Sequence, residues 1–309
     1  MSRVWAIAIN TFREAVRDRV LAAAFGCASF VLLFTLALAQ LSLHEEERVV
    51  HDLGVATISL FAVLVAIFLG SSLLEKEISR KTLHVILPKP IRRHEFLVGK
   101  YAGIVLTAAV LVAATGALEL WVAAVQAGAG PGGAVLVPAV LAVVSGVALV
   151  RAADRTLVLA PLSLAALGVC AVFARASGVP LVPTLGALAL SVAEVLVLGA
   201  VALFFSSFST PFLTGALTVG VWLAGRSADE LATSSSRLLP EALRSFLHAL
   251  AWVVPNFHLF VPPRRALEEG AEGVVDPLSY VASATGYAGL YAAALVTFAC
   301  LAFRRRDLT

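Results

Sequence analysis

Apolar runs of 18 or more residues recur along the whole chain, and this feature most constrains what it can fold into. A helix of about 20 apolar residues crosses the ~30 Å hydrocarbon core of a bilayer. Only 14% of the residues are charged, against about 25% in soluble domains. The sequence therefore predicts an all-α polytopic membrane protein with one transmembrane domain over residues 1–309.

Eight membrane-spanning helices are expected, at residues 20–41, 53–74, 101–126, 134–150, 156–173, 181–205, 212–224 and 285–303. The runs at 134–150 and 156–173 are barely long enough to cross, so a bundle of six without this hairpin is the alternative. In residues 1–19 a stripe of Trp5, Ile9, Phe12 and Val16 is typical of a helix lying in the membrane interface. Residues 226–283 are predicted to form a partly helical loop outside the cell.

The placement of lysine and arginine predicts the orientation of the chain. With the N-terminus inside, the cytoplasmic segments are residues 1–19, 75–100, 151–155, 206–211 and 304–309, which carry 16 of the 23 basic residues. The opposite orientation would place every lysine outside. We therefore expect a multi-pass protein of the cytoplasmic (inner) membrane with both termini in the cytoplasm. The three cysteines all lie in apolar runs and are interpreted as buried apolar residues.

The densest charge lies in residues 75–100, called the coupling segment below, which holds all four lysines of the chain. The helix of the second span should continue into this segment, because nothing interrupts it before Pro88. Pro88 and Pro90 predict an extended turn, and a short helix at 92–98 leads into the third span. The result is a helical elbow tied to two spans. A basic loop that only sets topology and contacts lipid headgroups is the alternative.

This segment resembles the first cytoplasmic loop of ABC-2 type transporter permeases, in the branch that includes permeases linked to multi-copper enzyme maturation. The match is gapless, with departures at Ser79, Pro88 and Arg92. The matching residues are Lys76, Glu77, Ile78, Arg80, Lys81, Thr82, Leu83, Ile86, Leu87, Lys89, Pro90, Ile91, Arg93, Phe96, Leu97, Gly99 and Lys100. Weaker similarity covers residues 10–21, 203–217, 254–260 and 303–308, and residues 134–173 resemble the family least.

The resemblance implies that two permease copies pair and that two separate ATPase subunits dock on the coupling segment. The implied contact residues are Glu77, Arg80, Lys81, Thr82, Lys89, Pro90 and Arg93. The chain has no GxxxxGK[ST] phosphate loop, so ATP and Mg²⁺ are expected on the partner and no enzymatic activity on this chain. Further expected partners are an accessory protein outside and membrane lipid. Nucleic acid is not expected, because the basic residues follow the membrane face.

Two acidic residues inside predicted spans, Glu194 and Glu119, are candidates for the substrate path. An ionisable residue at the depth of Glu194 is costly, and pairing with a neighbouring helix is the alternative. Glu119 lies nearer the outer interface and could be a hydrated side chain. The histidines and acids at 44–51 are interpreted as a solvated loop and not as a metal site. An ion-driven carrier or channel is the second functional hypothesis, and a membrane enzyme is the third.

Overall fold

The computed structural model describes residues 3–41, 46–79, 92–227, 254–261 and 276–304. Within these ranges the chain forms nine α-helices, one 3-10 helix and no β-strand. The α-helices are α1 (Arg3–Arg17), α2 (Val20–Ala39), α3 (Glu46–Ser79), α4 (Arg93–Gln126), α5 (Pro131–Arg151), α6 (Arg155–Ala176), α7 (Leu181–Ser206), α8 (Pro211–Arg226) and α9 (Pro277–Arg304); the 3-10 helix is Phe257–Phe260.

Seven of these helices, α2 to α7 and α9, are long and apolar enough to cross a membrane. The all-helical class is confirmed, and the bundle is that of a polytopic membrane protein. The predicted hairpin at 134–173 corresponds to α5 and α6, which both qualify. Where a span was predicted at 212–224, α8 has 16 residues and is about 24 Å long, which is short of the ~30 Å core. The described ranges thus contain seven long apolar helices where eight were predicted.

The centre of the bundle is formed by α4 and α7, and α5 lies at its edge. Most of the residues of α7 are buried, and α7 packs against α3, α4, α8 and α9. Small residues permit this close packing: a Cβ at Gly70 of α3 would lie 2.4 Å from the Cβ of Ala202 in α7. In contrast, α5 has no buried residue and contacts mainly α6.

Helix α1 does not lie only against the membrane, because its apolar stripe packs on α4. Ile9 and Phe12 are buried, as predicted for one side of the helix, whereas Trp5 is 46% exposed. The contact occurs at two glycines of α4, Gly99 and Gly103, which are one helical turn apart. Small residues at this spacing allow two helices to approach closely.

The described parts of the segments predicted on the cytoplasmic side lie together at one end of the bundle, which we call the α1 face. Arg13 of α1 forms an ion pair with Asp154, between α5 and α6. The start of α4 packs in one apolar cluster with α1 and with the ends of α7 and α9, through Ile7, Phe96, Leu97, Leu203, Phe204 and Ala299. A hydrogen bond from the side chain of Thr156, together with Arg13, holds the pKa of Asp154 below its ordinary value.

The helix ends next to three of the connections predicted on the outside, those between α2 and α3, α4 and α5, and α6 and α7, lie together at the opposite end. Gln126 at the end of α4 donates a hydrogen bond to Glu46 at the start of α3. His51 of α3 lies 3.4 Å from the hydroxyl of Thr184 in α7. The antiparallel course of these helices therefore separates the described parts of the two sets of connections.

Residues 254–261, inside the predicted outer loop, are packed deep against α7, α8 and α9. Phe257 is fully buried in a cluster that contains Leu190 and Val197 of α7. The hydroxyl of Tyr280 donates to the carbonyl of Leu259 at 2.8 Å. A Cβ at Gly225 would lie 2.3 Å from the carbonyl oxygen of Pro255, so only glycine permits this approach of the segment to α8.

Candidate functional site

The predicted contact set of the coupling segment falls largely outside the described residues. Arg80, Lys81, Thr82, Lys89 and Pro90 lie outside the described ranges. Glu77 lies in the last turn of α3, and Arg93 is the first residue of α4. These two positions place the segment between α3 and α4. Whether the seven residues contact a partner stays a prediction.

The two helices that flank the segment are the longest among the described residues. Each has 34 residues and is about 51 Å long, well beyond the ~30 Å core. The start of α4 is capped, because the backbone N–H of Arg92 donates to the Glu95 carboxylate at 3.1 Å. Arg3 of α1 lies 3.8 Å from the same carboxylate, which places the end of the segment beside α1.

Lys100, the last residue of the segment, points into the protein and not toward a partner surface. Its side chain is 2% exposed, and its Nζ lies 5.0 Å from the centroid of the Phe96 ring. An ammonium over an aromatic face is attracted by the ring quadrupole. Lys100 matches the family pattern, and in the structure its side chain packs inside the protein near the start of α4.

Glu194 of α7 is fully buried, and two neighbouring helices, α3 and α8, supply its partners. Ser59 of α3 donates to Oε2 at 2.6 Å, and the indole N–H of Trp222 in α8 donates to Oε1 at 2.8 Å. The Nη2 atom of Arg226 lies 3.0 Å from Oε1 and also donates to Ser59 at 2.9 Å. This set of four side chains, the Glu194 cluster, joins α3, α7 and α8.

The Glu194 cluster lies at mid-depth of the bundle. Glu194 is about 20 Å along α7, which is about 39 Å long. Arg226 ends α8 at this level, and its guanidinium stacks 5.3 Å from the Trp222 ring. A buried carboxylate needs a paired charge and hydrogen bonds to compensate for lost hydration, and both are present. The cluster therefore holds three helices in register and presents no unpaired charge at Glu194.

Sequence reasoning identified Glu194 but missed its partners. Arg226 was assigned to the loop outside, and Ser59 and Trp222 were read as parts of apolar spans. Ser59 and Arg226 are 167 positions apart, so no local pattern links them. The one available signal was an arginine that directly ends a short apolar run.

Glu119 is the second buried acid, and it has a different environment. It is 1% exposed, and neither carboxylate oxygen has a hydrogen-bond partner among the described residues. The carboxylate occupies the space beside Gly54 of α3, where a Cβ would lie 2.1 Å from Oε2. Glu119 therefore lies inside the α3–α4 contact and not in contact with water, contrary to the hydrated alternative.

No group of three or more His, Cys, Asp or Glu side chains in the described ranges is arranged to hold a metal ion. His44 and Glu45 of the predicted acidic loop lie outside these ranges. Within them, Glu46 is hydrogen-bonded to Gln126, and Arg48 lies 3.5 Å from Asp52.

No protein-family profile matches this chain, and no curated protein sequence matches it. The conclusion therefore rests on the fold and on the contacts described above. The chain is a helical membrane protein whose architecture is consistent with a transmembrane component of a transporter.

Proposed function

We propose that the chain is the permease subunit of an ABC-2 type transporter. Two copies pair in the cytoplasmic membrane, and two separate ATPase subunits bind the coupling segments and hydrolyse ATP with Mg²⁺. The observation that carries the proposal is the gapless motif of residues 76–100, which connects α3 to α4 at the α1 face. Both helices run unbroken from the motif into the core of the bundle.

Force on the coupling segment would reach the membrane interior through α3. A continuous helix moves as a rigid rod, and Ser59 lies about 30 Å along α3 from its end at Ser79. Displacement of α3 would therefore act directly on the Glu194 cluster and on the Glu119–Gly54 contact. Both acids lie where α3 contacts a neighbouring helix, so they would transmit its displacement, and a place for Glu194 or Glu119 on the substrate path stays a prediction.

An ion-driven carrier would need several charges near mid-membrane and broken helices repeated in two halves. The charge of Glu194 is compensated by Arg226. This pairing favours a structural role for Glu194, in helix packing, over a role in binding and releasing transported ions. Binding of a partner ATPase would distinguish the ABC-2 permease from the ion-driven carrier.

The proposed topology has the α1 face in the cytoplasm and eight crossings. In this topology α8 begins at the cytoplasmic side and ends at mid-depth, and α9 returns the chain to the cytoplasmic side. An accessory protein would bind at the opposite end, and anionic lipid at the α1 face.

Charge reversal in the coupling segment should detach the ATPase. We expect the double variant Arg80→Glu/Arg93→Glu, purified by an affinity tag from the native membrane, to lose co-purifying ATPase by about tenfold or more. Breaking a buried charge pair at an interface costs about 2–5 kcal/mol, and about 1.4 kcal/mol is a factor of ten in affinity. The measurement is ATP hydrolysis and ATPase protein per mole of permease.

The matched control is Arg175→Glu. Arg175 is exposed and lies at the end of α6 that is away from the α1 face. It should retain the ATPase and the melting temperature of the unmodified protein. Recovery of an ATPase at the normal ratio by the folded double variant would overturn the proposed docking site. Absence of any ATPase from the unmodified protein would instead favour a carrier or channel.

Labelling at the two ends of α6 tests the topology. In a variant lacking the three native cysteines, we expect Arg175→Cys to react with a membrane-impermeant maleimide on intact cells. Arg155→Cys should react only after the cells are opened. The opposite pattern would invert the proposed orientation. Equal labelling of both positions from one side would mean that α6 does not cross, which is the six-span alternative.

A further inference from the structure

A long apolar groove runs between α2 and the α5–α6 hairpin, and α4 forms its floor. Its volume is about 680 Å³. The hairpin is held at one end by the Arg13–Asp154 ion pair and at the other by the indole N–H of Trp121, which donates to the carbonyl of Ala134 at 3.1 Å. Between these two ends, small side chains such as Ala114 and Ala117 leave the floor hollow.

The groove begins at the α1 face and ends past the middle of the bundle. At the α1 face it is lined by Leu21, Leu149 and Leu159, each within about one helical turn of that end. Its floor runs from Val110 to Trp121, about 16 Å along α4. One leaflet of the hydrocarbon core is about 15 Å thick. The groove therefore has the length and depth of a single leaflet.

Arginines surround the mouth of the groove at the α1 face. Arg17 and Arg19 flank it on the side of α1 and α2, and Arg151 and Arg155 flank it on the side of the hairpin; all four are exposed. The acids nearby are Glu14 and Asp18, since Asp154 is paired with Arg13. Four arginines against two acids leave the mouth positive, at the level where lipid phosphates lie.

We propose that this groove is a binding site for one anionic phospholipid, with an acyl chain along α4 and the phosphate among the arginines of the mouth. An apolar groove open to lipid does not fill with water. A flexible hydrocarbon chain fits this shape, and the positive mouth selects a negative headgroup.

Selectivity should come from the headgroup, because an acyl chain gains little by leaving one apolar environment for another. We expect delipidated protein in detergent to bind one phosphatidylglycerol per chain in native mass spectrometry. Phosphatidylcholine should bind about tenfold or more weakly, since each arginine near an anionic headgroup contributes a factor of about five. Equal binding of the two lipids would overturn the selection by charge.

Filling the groove should exclude the lipid. Ala114→Trp blocks the floor, and Ser145→Trp blocks it from the peripheral α5, which tolerates bulk. Both should lower bound phosphatidylglycerol about tenfold or more, whereas Val143→Trp, on the exposed face of α5 (66% exposed), should leave it unchanged. Retention of the lipid by folded Ser145→Trp would overturn the site.

The mouth is tested by Arg17→Gln/Arg155→Gln, with Arg175→Gln as the control at the opposite end. The double variant should lose the preference for phosphatidylglycerol while still binding phospholipid, and the control should keep it.

Displacement of phosphatidylglycerol by inorganic phosphate alone would mean that the arginines form a free-anion site without the groove. Loss of a dimer in Ser145→Trp with no change in lipid would mean that a second copy occupies the groove. Either result overturns the proposal.

Discussion

Replacing Arg226 with methionine should lower the melting temperature of the purified protein by about 5–10 °C. Removing one member of a buried ion pair costs about 3–5 kcal/mol, because the other charge stays buried without compensation. A change of 1 kcal/mol shifts the melting temperature of a chain of 309 residues by about 1.5–2 °C, because the entropy of unfolding grows with chain length. Glu194 is fully buried, so water cannot replace the guanidinium.

Three further variants separate the charge pair from the packing. Glu194→Leu/Arg226→Met removes both charges together and should recover most of the loss, because a buried pair exchanged for apolar groups is often neutral. Arg226→Lys keeps the charge but loses the two-point contact and the stacking on Trp222, so an intermediate loss is expected. Arg175→Met removes an exposed arginine and should change stability by about 0.5 kcal/mol or less. If Arg226→Met were as stable as Arg175→Met, Arg226 would not stabilise the buried Glu194.

Adding two methyl groups to α4, in Gly99→Ala/Gly103→Ala, should displace α1. A Cβ at Gly103 would lie 2.5 Å from the Cβ of Thr11 and 2.8 Å from the carbonyl oxygen of Ala8. At Gly99 the distances are 2.6 Å to the Cβ of Ile7 and 2.9 Å to the carbonyl oxygen of Val4. Backbone atoms cannot rotate away, so the whole helix must move, and overpacking of this kind costs about 1–3 kcal/mol per site.

Displacement of α1 also exposes Ile9 and Phe12, each of which loses about 1.5–3 kcal/mol of burial when fully exposed. The measurement is deuterium uptake in residues 3–17 together with the melting temperature. We expect faster uptake in α1 and a net destabilisation of about 2 kcal/mol or more. Because Arg3 lies beside Glu95, the start of α4 after the coupling segment should also exchange faster.

The matched control is Gly146→Ala/Gly168→Ala, where an added Cβ meets no atom within 4 Å. Both pairs replace helical glycine with alanine, which favours the helix by about 1 kcal/mol per site. Only the first pair faces α1, so the control should be as stable as the unmodified protein or more stable. Equal uptake in α1 for the two double variants would contradict the tight α1–α4 contact.

Much of the architecture could be predicted from composition and spacing. The long apolar runs correspond to helices, including the hairpin of α5 and α6, and the described parts of the basic segments lie at one end. Two expectations were incomplete: residues 212–224 belong to a helix that ends at mid-depth, and residues 254–261 of the predicted outer loop pack against Leu190 and Val197. Composition alone did not distinguish a short apolar helix from a full crossing.

By itself the sequence determined that this chain is helical and embedded in a membrane, because in lipid each backbone polar group must be satisfied within its own helix. It also marked Glu194 as an unusual residue, since charge at that depth is costly. Only the tertiary structure decided that Arg226, Ser59 and Trp222 surround this carboxylate, that Glu119 lies against Gly54, and that a groove separates α5 from α4. Hydrophobic periodicity describes one helix at a time, whereas each of these features depends on the distance between side chains of different helices.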